Sequence, residues 1–205
     1  MSESYDRRVE QTRPIEKIPE IQVIFDSPSL DEDEDETDPL WVDFDNVENE
    51  EEIKTAGPNT YVISPVIEGN LFSDKYINCT GIIGIGRDKG SNSEIAFISH
   101  QDPEYFIHKK QEKETFSDDL KTIMLELLSK SKDGTVKFVL FGGNHDQNDP
   151  KSKRTLDYNK SKDFLIRIIQ ETTGITPTVI SGPKDGEGDI SVTLSTQERK
   201  IYIEG

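Results

Sequence analysis

Negative charge in this chain is concentrated in its first quarter. Residues 1–57 contain 19 acidic and 5 basic residues, whereas the remaining 148 residues contain 22 acidic and 19 basic ones. The run Asp31–Glu36 is entirely acidic, and such a run repels itself and has no apolar surface to bury. We therefore predict an acidic, disordered N-terminal segment over 1–57, followed by one folded domain over 58–205.

Two short apolar stretches interrupt the acidic segment. They are Ile21–Phe25 and Leu40–Phe44, and the second contains the only tryptophan, Trp41. Two interpretations are open: the stretches are incidental and weakly structured, or they are short motifs that dock on a partner or back on the domain. The sequence Gly-Pro-Asn at 57–59 is typical of a turn and marks the expected start of the domain.

The net charge of −17 excludes several classes of partner. An acidic chain repels phosphate backbones and anionic membrane surfaces, so we expect no nucleic-acid partner. No run of 18 or more apolar residues occurs in the sequence, so we also expect no membrane insertion. One cysteine cannot form an internal disulfide, which is typical of a reducing compartment. The sequence predicts a monomer in the cytoplasm, with a secreted effector as the alternative location.

The order of the predicted elements indicates the fold class. Two β-rich stretches, 77–86 and 94–100, flank a polar turn and predict a hairpin. Amphipathic patterns predict one helix that begins at Ser117 and a second over 161–173, closed by Gly174. Strands before, between and after these helices predict an α+β fold, with a mixed β-sheet or β-sandwich core and two main helices packed outside.

Cys79 is the strongest candidate for chemistry. A lone cysteine in a buried strand is most often a small hydrophobic residue. This one begins a glycine-rich strand, where the backbone N–H groups of Asn78 and Thr80 could hold an oxyanion. His100 ends the next predicted strand, so an antiparallel hairpin would place it opposite Cys79. A thiol beside an imidazole is the minimal activated nucleophile.

A second group of candidates follows the predicted strand at 136–141. Asn144 and His145 come directly after Gly142 and Gly143, at the end of that strand. We predict that both contact substrate, and that His145 is the fallback base if His100 points away from Cys79.

At these residues the sequence resembles the CheD family, the chemoreceptor glutamine deamidases. The segment 78–85, followed by Ile-Ser-His at 98–100, is similar to the active-site hairpin of that family. The segment 137–144 resembles its strand that ends in Phe-Gly-Gly, and 192–203 resembles its closing hairpin. The resemblance covers about 61–205. A similar Cys–His arrangement is found in toxins of the cytotoxic necrotising factor type.

The resemblance implies a protein-glutamine deamidase with a cysteine nucleophile. Cys79 would attack the side-chain amide, and His100 would lower the thiol pKa and protonate the departing ammonia. Ser73 stands where the family has a threonine and would orient the imidazole. Neither a metal nor another cofactor is implied. The implied partner is a glutamine-bearing protein, by analogy a chemoreceptor or another signalling protein.

Departures from the family pattern keep a second hypothesis open. Ile77 and Asn78 replace the family's Gly-Ser before the cysteine, and Phe97 replaces a glycine before the histidine. The alternative is a catalytically inactive module of the same fold that acts through protein–protein interaction. Ser73 in place of threonine and the altered loop before Cys79 favour this alternative.

Overall fold

The computed structural model describes most of the chain after residue 77 and shorter stretches before it. The described residues are 22–25, 41–42, 53–57, 60–63, 65–67, 70–73, 76, 78–143, 145–146, 148–181, 191–197 and 199–204. Within them, strands and helices form an α+β fold of three layers: an outer sheet, a central sheet and a layer of helices.

The elements are numbered in chain order. The strands are β1 (Gln22–Phe25), β2 (Trp41–Val42), β3 (Ile53–Gly57), β4 (Thr60–Ile63), β5 (Val66–Ile67), β6 (Asn70–Ser73), β7 (Thr80–Arg87), β8 (Glu94–Gln101), β9 (Lys137–Gly142), β10 (Thr178–Ser181), β11 (Ser191–Ser195) and β12 (Lys200–Glu204). The helices are α1 (Pro103–Phe106), α2 (Lys110–Lys130) and α3 (Lys153–Thr173).

The central sheet has the strand order β10-β9-β7-β8-β4-β3, with β5 also paired to β8. The predicted hairpin is confirmed: β7 and β8 are antiparallel, from the pair Thr80–Gln101 to the pair Arg87–Glu94. On its other side β7 pairs antiparallel with β9.

Both faces of the central sheet are buried at β7 and β8, which explains why the sequences of these strands are almost continuous apolar runs. Alternate side chains of β7, β8 and β9 pack against α2 and α3. The others pack against the outer sheet, whose strand order is β1-β12-β11-β6-β2. The core between the two sheets contains Leu71, Tyr76, Cys79, Ile83, Ile85, Ala96, Ile98, Val139, Phe141, Val192, Leu194, Ile201 and Ile203.

Three described stretches of the acidic N-terminal segment are strands, so the prediction of disorder over 1–57 differs from the structure there. β1 pairs parallel with β12, and β2 pairs parallel with β6. β1 and β2 lie within the two apolar stretches of this segment, which fits the interpretation that these stretches dock back on the domain. β3 pairs antiparallel with β4, so the predicted boundary between 57 and 58 falls inside a hairpin. Backbone hydrogen bonds to edge strands of the folded sheets stabilise these strands, because the segment itself has few apolar residues to bury.

Both main helices begin earlier than predicted. Ser117 lies inside α2, where its hydroxyl donates to the Lys113 carbonyl oxygen, so it is not the N-cap. α3 begins at Lys153, where Ser152 accepts a hydrogen bond from the Thr155 backbone N–H as N-cap. The predicted end of α3 is confirmed, with Gly174 in the left-handed conformation. Among the described helices, none is long and apolar enough to cross a membrane.

Candidate active site

The β7–β8 hairpin brings Cys79 and His100 to the same face of the central sheet. Gly81 pairs with His100, and Cys79 lies two positions before Gly81, so alternation puts the thiol and the imidazole on one face. Cys79 packs in the core between the sheets, as this alternation requires. The two residues are diagonal cross-strand neighbours, a relationship that spans roughly 7–8 Å between backbone positions.

The Phe-Gly-Gly end of β9 holds the backbone of Cys79. The Gly143 N–H donates to the Cys79 carbonyl oxygen at 2.7 Å. Gly142 and Gly143 have φ values of +78° and +79°, which favour glycine. A Cβ on Gly143 would lie 2.3 Å from the Tyr158 ring, and one on Gly142 would lie 2.9 Å from the Cys79 carbonyl oxygen. Larger residues would therefore displace this turn from the cysteine.

Ser73 approaches His100 from the outer sheet. The Ser73 side chain is buried at the end of β6, and its Oγ lies 3.4 Å from His100 Nδ1. The hydroxyl thus lies where the orienting group of a catalytic triad would be needed. Ser73, His100 and Cys79 are all buried in this region, although His100 is distant in sequence from the other two.

Tyr76 is a member of this cluster that sequence reasoning missed. Its ring stacks on the His100 imidazole, with centroids 4.1 Å apart and planes inclined by 15°. Its hydroxyl lies 2.7 Å from Ser73 Oγ and 3.2 Å from the Ser99 carbonyl oxygen. Tyr76 precedes Cys79 by only three residues, but its contacts with His100 and Ser99 join distant parts of the chain, so no local pattern in the sequence indicates them.

Burial favours the neutral forms of the Cys79 thiol and the His100 imidazole. Cys79 is 5% exposed; burial, with a smaller contribution from the negative charge of Asp102, raises the pKa of its thiol to about 12. Burial also lowers the pKa of His100 to about 4. The expectation that His100 lowers the thiol pKa is therefore wrong for this structure, because loss of solvation disfavours the thiolate and the imidazolium alike.

Asn78 and Thr80, the predicted oxyanion residues, differ in environment. The Asn78 side chain is exposed, whereas Thr80 is 1% exposed. Alternation directs the Thr80 side chain to the helix side of the sheet, away from the Cys79 face. Any contribution of Thr80 to an oxyanion site would therefore come from its backbone N–H rather than from its hydroxyl.

His145 lies against α3. Its ring stacks on Tyr158, with centroids 4.5 Å apart and planes inclined by 9°. Its Nδ1 is 3.4 Å from the Gly143 carbonyl oxygen. Asn144, predicted to contact substrate, lies outside the described residues. The described contacts of His145 are thus with α3 and with the turn that holds Cys79.

A surface pocket of about 290 Å³ lies at the end of the hairpin, against α1 and the start of α3, and Cys79 is not among the residues that line it. Asn78 directly precedes the cysteine, and α1 begins just after the opposite strand. The pocket is lined by Asn78, Pro103, Glu104, Lys153, Arg154 and Asp157. This set contains an amide and charges of both signs.

Within the described residues, no group of three or more histidine, cysteine, aspartate or glutamate side chains could hold a metal ion. No protein-family model matches the sequence, and a comparison with curated proteins finds no match either.

Proposed function

We propose that this chain is a cysteine amidohydrolase that converts a glutamine side chain of a protein to glutamate and releases ammonia. The observation that carries this proposal is the contact of 3.4 Å between Ser73 Oγ and His100 Nδ1, on the face from which Cys79 projects. A nucleophile, a base and an orienting group then share one site. The resemblance of the sequence to the CheD family supports the same proposal.

The reaction begins from a neutral thiol and a neutral imidazole. Because the pKa of Cys79 is raised and that of His100 is lowered, His100 takes the thiol proton as the sulfur attacks the amide carbon. His100 then gives this proton to the leaving nitrogen, and ammonia departs from a thioester on Cys79. Water, deprotonated by His100, hydrolyses the thioester to glutamate and restores the thiol.

The negative charge that develops on the amide oxygen needs donors near Cys79. The backbone N–H groups of residues 78–80 are the proposed oxyanion site, and one such donor contributes on the order of 3 kcal/mol in comparable enzymes. The glutamine side chain enters from the end of the hairpin, where the pocket beside Asn78 and Glu104 receives the flanking segment of the substrate.

Ammonia release and mass spectrometry of candidate glutamine-bearing proteins, chemoreceptors among them, test this proposal. The wild type should deamidate a glutamine, and Cys79→Ala should reduce the rate by on the order of 10⁴-fold or more. Ser73→Thr keeps the hydroxyl and should retain activity that Ser73→Ala loses. Equal ammonia release by the wild type and Cys79→Ala, across substrates that the chain binds, would show the proposal to be wrong.

A second candidate function is a catalytically inactive binding module of the same fold. The raised pKa of Cys79 and its 5% exposure favour this alternative, because a thiol that stays protonated and covered is a poor nucleophile. The inactive module would be supported by a partner protein with two properties. It binds the wild type and Cys79→Ala with the same Kd, and its glutamines remain intact after incubation with the wild type.

A further inference from the structure

We propose that the first half of α3 is a docking surface for the acidic run Asp31–Glu36 of the same chain. The surface consists of exposed cations at the start of the helix and just before it, and we name it the basic face of α3. Its residues are Lys151, Lys153, Arg154, Lys160 and Arg167. The proposal goes beyond the proposed function, because it concerns how the domain binds its own N-terminal segment.

The basic face of α3 differs in charge from the rest of the chain. Residues 151–167 contain six basic and two acidic residues, whereas the chain as a whole has a net charge of −17. Of the two acidic residues, Asp157 is 14% exposed and lies 3.0 Å from His108 and 4.0 Å from Lys160. The cations therefore determine the outward charge, and a polyanionic segment is the occupant that this surface fits.

The strand registers show at which end of the outer sheet β1 finishes. Phe25 pairs with Ile203, and Ile203 pairs with Val192. Val192 pairs in turn with Ser73 on its other side, so Phe25 and Ser73 lie at the same level of the sheet. Ser73 Oγ is 3.4 Å from His100 Nδ1. β1 therefore finishes at the end of the molecule where β8 also finishes.

The basic face of α3 lies at this same end. β9 finishes at Gly142, which pairs with Thr80, and Thr80 pairs with Gln101 at the finish of β8. α3 begins ten residues after Gly142, and Lys153 and Arg154 line the pocket at the end of the hairpin. The chain thus leaves β1 toward the acidic run at the end where the cations of α3 are exposed.

The connection between β1 and β2 has the length that docking requires. Fifteen residues separate Phe25 from Trp41, and fully extended they span about 50 Å. The two strands lie at opposite edges of the outer sheet, four strand spacings or about 19 Å apart. Asp31 follows Phe25 by six residues, a reach of about 20 Å, or about two layer spacings. The run can therefore reach the helix layer from the outer sheet.

The tether compensates for the weakness of exposed ion pairs. Each such pair contributes little by itself, but a short connection holds the run near the surface at a millimolar effective concentration. The contact should depend strongly on salt, because the Debye length falls from about 30 Å at 0.01 M salt to about 3 Å at 1 M.

Carbodiimide cross-linking of the full chain tests the contact directly, because it joins a carboxylate to an amine that touches it. At about 0.01 M salt, mass spectrometry of the monomer fraction should find cross-links from the acidic run to Lys151 and Lys153, and at about 1 M salt these should be lost. Lys137 is the matched control, because it is exposed but lies at the opposite end of β9 from Gly142. It should not cross-link to the run.

Acetylation rates of Lys151 and Lys153 give a second measurement. A variant with amides in place of the six carboxylates of residues 31–36 should acetylate both lysines about 3- to 10-fold faster than the wild type, the protection expected from a few exposed ion pairs at low salt. The matched variant has amides in place of the six carboxylates of residues 43–52, so its net charge is the same. It should acetylate them at the rate of the wild type.

Any of four outcomes would overturn the inference. The first two are the absence of cross-links between the run and the basic face of α3, and equally abundant cross-links to Lys137. The third is cross-links confined to dimers, which would mean that the run binds a second copy of the chain. The fourth is an equal acetylation rate in the wild type and the variant of residues 31–36. Neither measurement involves deamidation, so the outcome is separate from that of the proposed function.

Discussion

The Gly143 N–H donates to the carbonyl oxygen of Cys79 across 2.7 Å, so the end of β9 holds the backbone of the proposed nucleophile. Gly143 adopts φ +79° directly against the Tyr158 ring. The Gly-Gly turn is thus a structural requirement of the site, and its local geometry determines where the cysteine lies.

Gly143→Ala should lower the free energy of unfolding by about 2–5 kcal/mol. The left-handed backbone costs a non-glycine residue about 1–2 kcal/mol, and the new Cβ would overlap the Tyr158 ring at a further cost of about 1–3 kcal/mol. Urea unfolding measures the change. Gly134→Ala is the control, because Gly134 has φ +73° with no heavy atom within 4 Å of an added Cβ. Equal losses in the two variants would contradict the close packing at Gly143.

As the pH is lowered from about 6.5 to 4, the free energy of unfolding should decrease because of His100. Burial lowers its native pKa from 6.5 to about 4, so between these values the unfolded chain binds a proton that the folded chain does not. The resulting loss is on the order of 3 kcal/mol across this window, and above pH 6.5 the contribution is constant. His100→Gln should lack this component, which urea unfolding at pH 7, 5.5 and 4 would reveal. If the free energies of unfolding of the wild type and His100→Gln changed in parallel with pH, the lowered pKa of His100 would be contradicted.

Arg199→Met should destabilise the chain more than the double variant Glu94→Leu/Arg199→Met. Arg199 Nη1 lies 2.7 Å from Glu94 Oε1, and the two side chains are 6% and 9% exposed. This pair connects the turn between β11 and β12 to the start of β8. Among the described residues, removing the arginine leaves the buried carboxylate with Arg87 as its remaining cation, at 3.2 Å, for a loss of about 2–4 kcal/mol. Thermal unfolding checks the order, and a double variant less stable than Arg199→Met would contradict it.

Patterns within single elements were enough to predict much of the fold. The β7–β8 hairpin follows from two β-rich runs around a polar turn, and the end of α3 follows from Gly174. The predicted start of α2 is wrong because Ser117, an acceptable N-cap residue, can also donate a hydrogen bond to the preceding turn from inside a helix. A local pattern does not distinguish these two uses of a serine hydroxyl.

The sequence by itself determined the α+β class and identified Cys79, His100 and Ser73 as candidates, because strand periodicity, turn residues and a family-like motif are local properties. Only the tertiary structure decided how these residues meet. Tyr76 joins the site through contacts with distant parts of the chain, and the docking of β1 and β2 depends on edges that exist only in the folded sheets. The covering of Cys79 by the outer sheet raises its thiol pKa, since solvation is a property of the packed core and not of the residue order.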